Sequence, residues 1–115
     1  KDLKVWQTAM DIVDETYNLL KELPKEEQYG LISQMRRSAV SIPSNIAEGW
    51  GRDSSMSYKH FLRISRGSLF ELETQIEIAK RQQMISAKQT KTIMELMTEE
   101  SKMLTAFINS IKDKK

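Results

Sequence analysis

Cysteine is absent from the 115 residues, so neither a disulfide framework nor a thiolate metal site can form. That absence suits a reducing compartment, and a cytoplasmic protein is the expectation. Proline occurs twice and glycine four times, so the chain has little punctuation. No β-branched alternation marks a strand. No apolar run approaches the roughly 20 residues that a membrane span requires, and Lys1-Asp2-Leu3-Lys4 reads as a charged amphipathic segment and not a signal peptide. His60 is the only histidine. HExxH, P-loop and GxSxG motifs are all missing. The expectation is therefore a non-enzymatic protein with no catalytic residue, no metal and no cofactor.

What is present is charge and helical periodicity. Charged residues make up 30% of the chain and hydrophobic ones 39%, a soluble composition. The net charge of +2 says little, but its distribution says more. Residues 1–29 carry 4 basic and 7 acidic groups, residues 30–67 carry 6 and 2, and residues 68–115 carry 8 and 7. The middle of the chain is the basic part.

Apolar residues recur at steps of three and four in four segments, which predicts four helices. The first spans about 3–23, through Trp6, Ala9, Met10, Val13, Tyr17, Leu20 and Leu23, and is stopped by Pro24. Val5, Ile12 and Leu19 form a further row on it, a candidate surface for a second subunit. The second spans about 27–48, with Gly49 as a candidate left-handed residue at its end. The third spans about 54–82, capped by Asp53 or Ser54, and carries the extra apolar row Ile64, Phe70 and Ile78. The fourth spans about 87–112 behind a Ser86-Ala87-Lys88-Gln89 capping box, and ends in a basic tail. Short connections between long helices predict one all-α domain over 1–115, an antiparallel up-down-up-down four-helix bundle.

One stretch departs from a plain amphipathic pattern. Residues 33–52 read SQMRRSAVSIPSNIAEGWGR, with a proline and small polar groups where leucines would be expected. Pro43 removes a backbone bond inside the second helix, freeing the Ala39 carbonyl and predicting a kink. Ser41 and Ser44 are placed to bond the loosened backbone. Asn45 and Glu48, three residues apart, share a face. Ser41, Pro43, Ser44, Asn45 and Glu48 are read as a polar layer at a close helix crossing, with Gly67-Ser68 of the third helix as the approaching surface.

QMRRSAVSIPSNIAEGWGR, together with FLRISRGSLFELETQIEIA, resembles the 23S rRNA intervening-sequence protein family. The Val5-Trp6-Gln7 start and the PKEEQYGL turn extend the resemblance over most of the chain. It implies a left-handed antiparallel four-helix bundle. It also implies similarity to the accessory protein of diversity-generating retroelements, a homopentamer that binds nucleic acid beside a reverse transcriptase. A cyclic homo-oligomer, a pentamer, is the corresponding expectation here, with RNA, DNA or a nucleoprotein as further partners.

The candidate nucleic-acid contacts are Arg36 and Arg37 on the second helix, Arg52 in the turn, and Lys59, Arg63 and Arg66 on the third. The last three fall at i, i+4 and i+7, one stripe able to track phosphates. Trp50, between Gly49 and Gly51, is a candidate for stacking on a base. His60 belongs to the same solvated basic surface. Glu48, Glu71 and Glu73 are candidates for a carboxylate pair if the helices bring them together, but the Glu-x-x-His pattern of a di-metal site is missing. Glu100, on the apolar side of the fourth helix, is expected to find a buried arginine or tyrosine. The alternative to nucleic-acid binding is a protein-interaction scaffold whose basic stripe is only a solvated face.

Overall fold

The structure is a computed structural model that describes residues 2–112; Lys1 and residues 113–115, which hold most of the basic tail, lie outside the described residues. Four helices account for about three quarters of the described chain, and no strand occurs among those residues. They are α1 (Asp2–Leu20), α2 (Leu31–Trp50), α3 (Ser55–Arg81) and α4 (Lys91–Ser110), with a short 3-10 turn at Lys25–Glu27. Consecutive helices pack together and α4 packs on α1, while the backbones of the diagonal pairs α1–α3 and α2–α4 stay more than 8 Å apart between Cα atoms. Four helices therefore sit at the corners of a square. The molecule measures 49 × 25 × 19 Å, and α3 at about 1.5 Å per residue spans most of the long dimension.

The core is built from one row of each helix. Ile12, Met35, Ile42, Leu69, Leu72 and Leu104 have no exposed surface. Val5, Ile12 and Leu19, expected as a surface row on α1, are buried in this core. The exposed heptad-spaced row of α1 is instead Leu3, Met10 and Tyr17. Both rows repeat every seven residues, so spacing alone does not separate them; contact with α2 and α4 decides which is covered. On α3, Ile64, Phe70 and Ile78 are exposed.

Helix ends show where local chemistry overrode the periodic pattern. α1 stops at Leu20, three residues before the expected end. Glu22 and Leu23 donate to the carbonyls three residues back, tightening the chain ahead of Pro24, while Leu23 stays buried. α2 begins at Leu31 rather than Glu27, and the Glu27 carboxylate accepts from the Leu31 N–H at 3.2 Å. The Ser54 hydroxyl accepts from the Ser57 N–H at 3.0 Å and caps α3. Gln83 follows α3 with φ of 63°, and the Met84 N–H reaches back to the Ala79 carbonyl at 2.9 Å, a left-handed helix stop. The capping box forms in full: Ser86 N–H donates to Gln89 Oε1 at 2.8 Å, and Gln89 N–H to Ser86 Oγ at 3.1 Å. It closes a turn ahead of α4, which starts at Lys91.

Gly49 has a different role from the one expected. It lies inside α2, which continues to Trp50, and no glycine among the described residues has a positive φ. A Cβ at Gly49 would stand 2.6 Å from Cδ1 of Tyr58, so the missing side chain lets the start of α3 approach. Gly67 is the reverse case. A Cβ there would meet nothing within 4 Å, so Gly67 faces outward and is not the approaching surface.

Candidate nucleic-acid interface

The unusual α2 sequence meets serines of α3. Ser41 Oγ and Ser68 Oγ lie 2.8 Å apart, sharing a hydrogen bond across the two helices. Asn45 Nδ2 donates to the Ser41 carbonyl at 2.8 Å and to Ser41 Oγ at 2.9 Å. Ser65, fully buried, donates to the Ile42 carbonyl at 2.9 Å. These small groups let α2 and α3 come close while their hydroxyls stay satisfied. Pro43 is buried within an uninterrupted α2. Ser44 and Glu48 are exposed and stand apart from this network, Glu48 pairing with Arg52 instead. The layer is therefore Ser41, Asn45, Ser65 and Ser68, with Pro43 beside it.

The six candidate cations are distributed over more than one side. Arg36 lies over the Tyr17 ring at 6.0 Å and so faces α1. Arg37 is exposed beside a groove of about 430 Å³ between α2 and α3, whose other walls include Gln34, Glu71 and Gln75. Gln75 Oε1 is buried there without a hydrogen-bond partner. Arg52 stacks over the Phe61 ring at 4.6 Å and pairs with Glu48, so α3 and the end of α2 already engage it.

Lys59, Arg63 and Arg66 keep the common side that their spacing implies, the side of α3 that meets α4. Lys59 Nζ donates to the Ile111 carbonyl at 3.2 Å, and Arg66 to Thr105 Oγ1 at 3.2 Å. Lys102, exposed and three residues from Thr105, lies on the matching side of α4. Arg63 and Lys102 make no ion pair among the described residues. Lys102 escaped the sequence reading because its neighbours are on another helix. Only the Arg66–Thr105 bond, between residues 39 apart in sequence, shows that it belongs with them.

The aromatic and acidic candidates also have definite places. Trp50 leans on Trp6 at 6.3 Å between ring centroids, with a 42° tilt, and keeps 40% of its surface exposed. His60 is exposed and edge-on to Phe61. No group of three acidic or histidine side chains suited to a metal occurs among the described residues. Glu100 is fully buried on α4, and neither carboxylate oxygen has a hydrogen-bond partner. The arginine or tyrosine expected for it is not there. Burial, with the nearby Glu99 charge adding to it, pushes the Glu100 carboxyl up to about 8.

The sequence model of the 23S rRNA-intervening sequence proteins matches residues 1–106. The chain belongs to that family. A solved structure is similar to this chain at 27% identity and a TM-score of 0.84, covering 92% of this chain and 99% of the other. That protein, from Bacteroides thetaiotaomicron, is described as one of unknown function from the S23 ribosomal protein family. Among curated proteins none matches the chain. No helix among the described residues of this family member is long and apolar enough to cross a membrane.

Proposed function

We propose that this protein is a non-enzymatic, self-associating bundle that holds structured RNA against its α3–α4 side. Lys59, Arg63, Arg66 and Lys102 supply the phosphate contacts, which position RNA without reading its sequence. The observation that carries this is the Arg66–Thr105 bond, which sets the α3 stripe against the part of α4 where Lys102 stands three residues from Thr105. Cations from two helices then form one surface, with Arg63 and Lys102 exposed and in no ion pair among the described residues. The family's name, 23S rRNA-intervening sequence protein, agrees with an RNA partner. Arg36, Arg37 and Arg52 are peripheral in this proposal, because stacking, a groove and an ion pair engage them elsewhere.

The bundle itself is inferred to run up-down-up-down with a left-handed twist. Bond partners support the alternating direction. From Ser65 to Ser68 on α3 the α2 partner moves from Ile42 back to Ser41, and from Lys59 to Arg66 the partner near α4 moves from Ile111 to Thr105. We place the protein in the cytoplasm, as a cyclic homo-oligomer of pentamer type, with RNA, DNA or a nucleoprotein as its partner. Repetition of one weak basic side around a ring raises avidity without new contacts.

A second proposal is a protein-interaction scaffold that binds no nucleic acid, favoured by the exposed apolar rows on α1 and α3. Fluorescence anisotropy against a structured ribosomal RNA fragment separates the two. Arg66→Glu with Lys102→Glu should reduce affinity at least tenfold if RNA lies on this side. An unaltered affinity in the double variant would remove the α3–α4 side as the interface.

A further inference from the structure

Gly67 is a glycine that the packing of the bundle does not require. It stands in the middle of α3, where glycine weakens a helix relative to alanine. No glycine among the described residues has a positive φ, so the backbone does not demand it. A Cβ at position 67 would meet nothing within 4 Å, so no neighbour demands it either. Gly49 is the contrast, held to glycine by the Tyr58 ring. What the missing side chain at Gly67 provides is open space above the helix.

That space belongs to a shallow hollow of about 400 Å³ between α3 and the start of α2. Phe70 and Ile78 give it apolar walls, while Gln34, Glu71 and Gln75 line it with amide and carboxylate groups. Phe70 is 47% exposed and follows Gly67 by three residues. Helical side chains lean toward the N-terminus, so its ring leans over the turn that holds Gly67. Gln75 Oε1 is buried without a hydrogen-bond partner, an acceptor that a donor seated in the hollow would satisfy. An aromatic wall, a bare floor and polar edges suit a flat ring that carries hydrogen-bonding groups on its rim.

The surrounding charges narrow the ligand further. Arg63 precedes Gly67 by four residues, the spacing of neighbours on one helix face, and is exposed. It also belongs to the phosphate stripe with Lys59 and Arg66. Arg37 is exposed at the opposite rim, beside the groove that shares Gln34, Glu71 and Gln75 with the hollow. Glu71 is the acid of the hollow itself. Glu73 and Glu77 follow along α3, Glu77 paired with Lys80 and Arg81, and Arg36 faces α1. A purely anionic ligand would meet the Glu71 carboxylate. A nucleotide instead sets its phosphate beside an arginine at the rim and turns the N–H groups of its base toward Glu71.

We propose that this hollow takes an unpaired nucleobase of the RNA whose phosphates lie along the α3–α4 side. The base lies over Gly67 against the Phe70 ring, with its edge toward Glu71 and Gln75 and its phosphate at Arg63. Every base has a face to stack, so the hollow distinguishes an unpaired nucleotide from a paired one and not one sequence from another. The inference rests on the RNA reading above and deepens it: the partner is RNA with a bulged or looped-out nucleotide, not a uniform duplex.

The test compares two RNAs by fluorescence anisotropy, a fully paired duplex and the same duplex with one bulged adenosine. Wild type should bind the bulged RNA about tenfold more tightly. Phe70→Ala and, separately, Gly67→Leu should lower the affinity for bulged RNA to that for the duplex, and leave the duplex affinity unchanged. Gly67→Leu fills the hollow while favouring the helix, so a preference lost there does not come from unfolding. Arg66→Glu should weaken both RNAs alike. Binding of neither RNA by wild type would overturn the RNA reading and this inference with it. Equal affinity of wild type for the two RNAs, or a preference that survives both substitutions, would overturn the hollow alone and leave the phosphate stripe standing.

Discussion

The hydroxyls of Ser41 on α2 and Ser68 on α3 lie 2.8 Å apart, and Asn45 completes the bond set by donating to Ser41. A leucine at position 45 would add apolar area but leave Ser41 Oγ with fewer donors and crowd a close crossing. Net loss of such bonds costs about 0.5–1.5 kcal/mol each, and overpacking about 1–3 kcal/mol. Asn45→Leu should therefore lower the melting temperature by several degrees in differential scanning calorimetry. Unchanged melting and unchanged assembly would refute a role for this polar layer in fixing the α2–α3 contact.

Gly49→Ala separates the two roles considered for that glycine. Helix propensity alone favours alanine by up to about 1 kcal/mol inside a helix. The Tyr58 ring stands where the new methyl would go, 2.6 Å away at Cδ1. Tyr58 packs edge-on against Phe107 at 5.5 Å, so its ring has little room to retreat. The clash should win, with denaturant unfolding showing a loss of about 1–2 kcal/mol. A stabilised variant would mean that α3 moves aside freely.

Glu100 should make the fold stronger in acid than in mild base. Its folded carboxyl titrates at about 8 against an ordinary value of 4.5. Between these pH values the folded state holds a proton that the unfolded state has released, so stability falls as pH rises. The full effect across that window is on the order of 4–5 kcal/mol. Melting at pH 5 should exceed melting at pH 7.5, and Glu100→Gln should flatten the difference. The same slope in wild type and Glu100→Gln would assign the pH dependence to other groups.

Two charge substitutions on α1, two residues apart, should have opposite characters. Ile12 has no exposed surface, so Ile12→Glu buries an unpaired carboxylate and should unfold the bundle. Met10 is 37% exposed, so Met10→Glu should leave the circular dichroism spectrum intact. A folded Ile12→Glu protein would contradict the assignment of that row to the core.

Much of the fold was legible because periodicity is a property of each helix taken singly. The four helices, the Ser54 cap and the Ser86–Gln89 box all rest on residues within a few positions of one another. What failed depended on neighbours distant in sequence. Val5-Ile12-Leu19 and Leu3-Met10-Tyr17 have the same spacing, and only α2 and α4 determine which row is covered. Gly49 looked like a helix terminator until Tyr58 was found against it. Lys102 joined Arg66 through a residue of α4. Glu100 was read as a buried acid with a partner, and the core supplies none. Ser41 and Asn45 were legible as polar groups at a crossing, whereas the bond from Ser65 to the Ile42 carbonyl joins residues 23 apart in sequence and depends on α2 and α3 meeting.

The most direct measurement is the salt dependence of binding between the wild-type protein and a structured ribosomal RNA fragment, followed by fluorescence anisotropy. If Lys59, Arg63, Arg66 and Lys102 each release a counterion, log affinity should fall against log salt with a slope of about −3 per engaged bundle. No binding at low salt, or binding indifferent to salt, would contradict a phosphate-holding side and leave those cations as ordinary solvated surface.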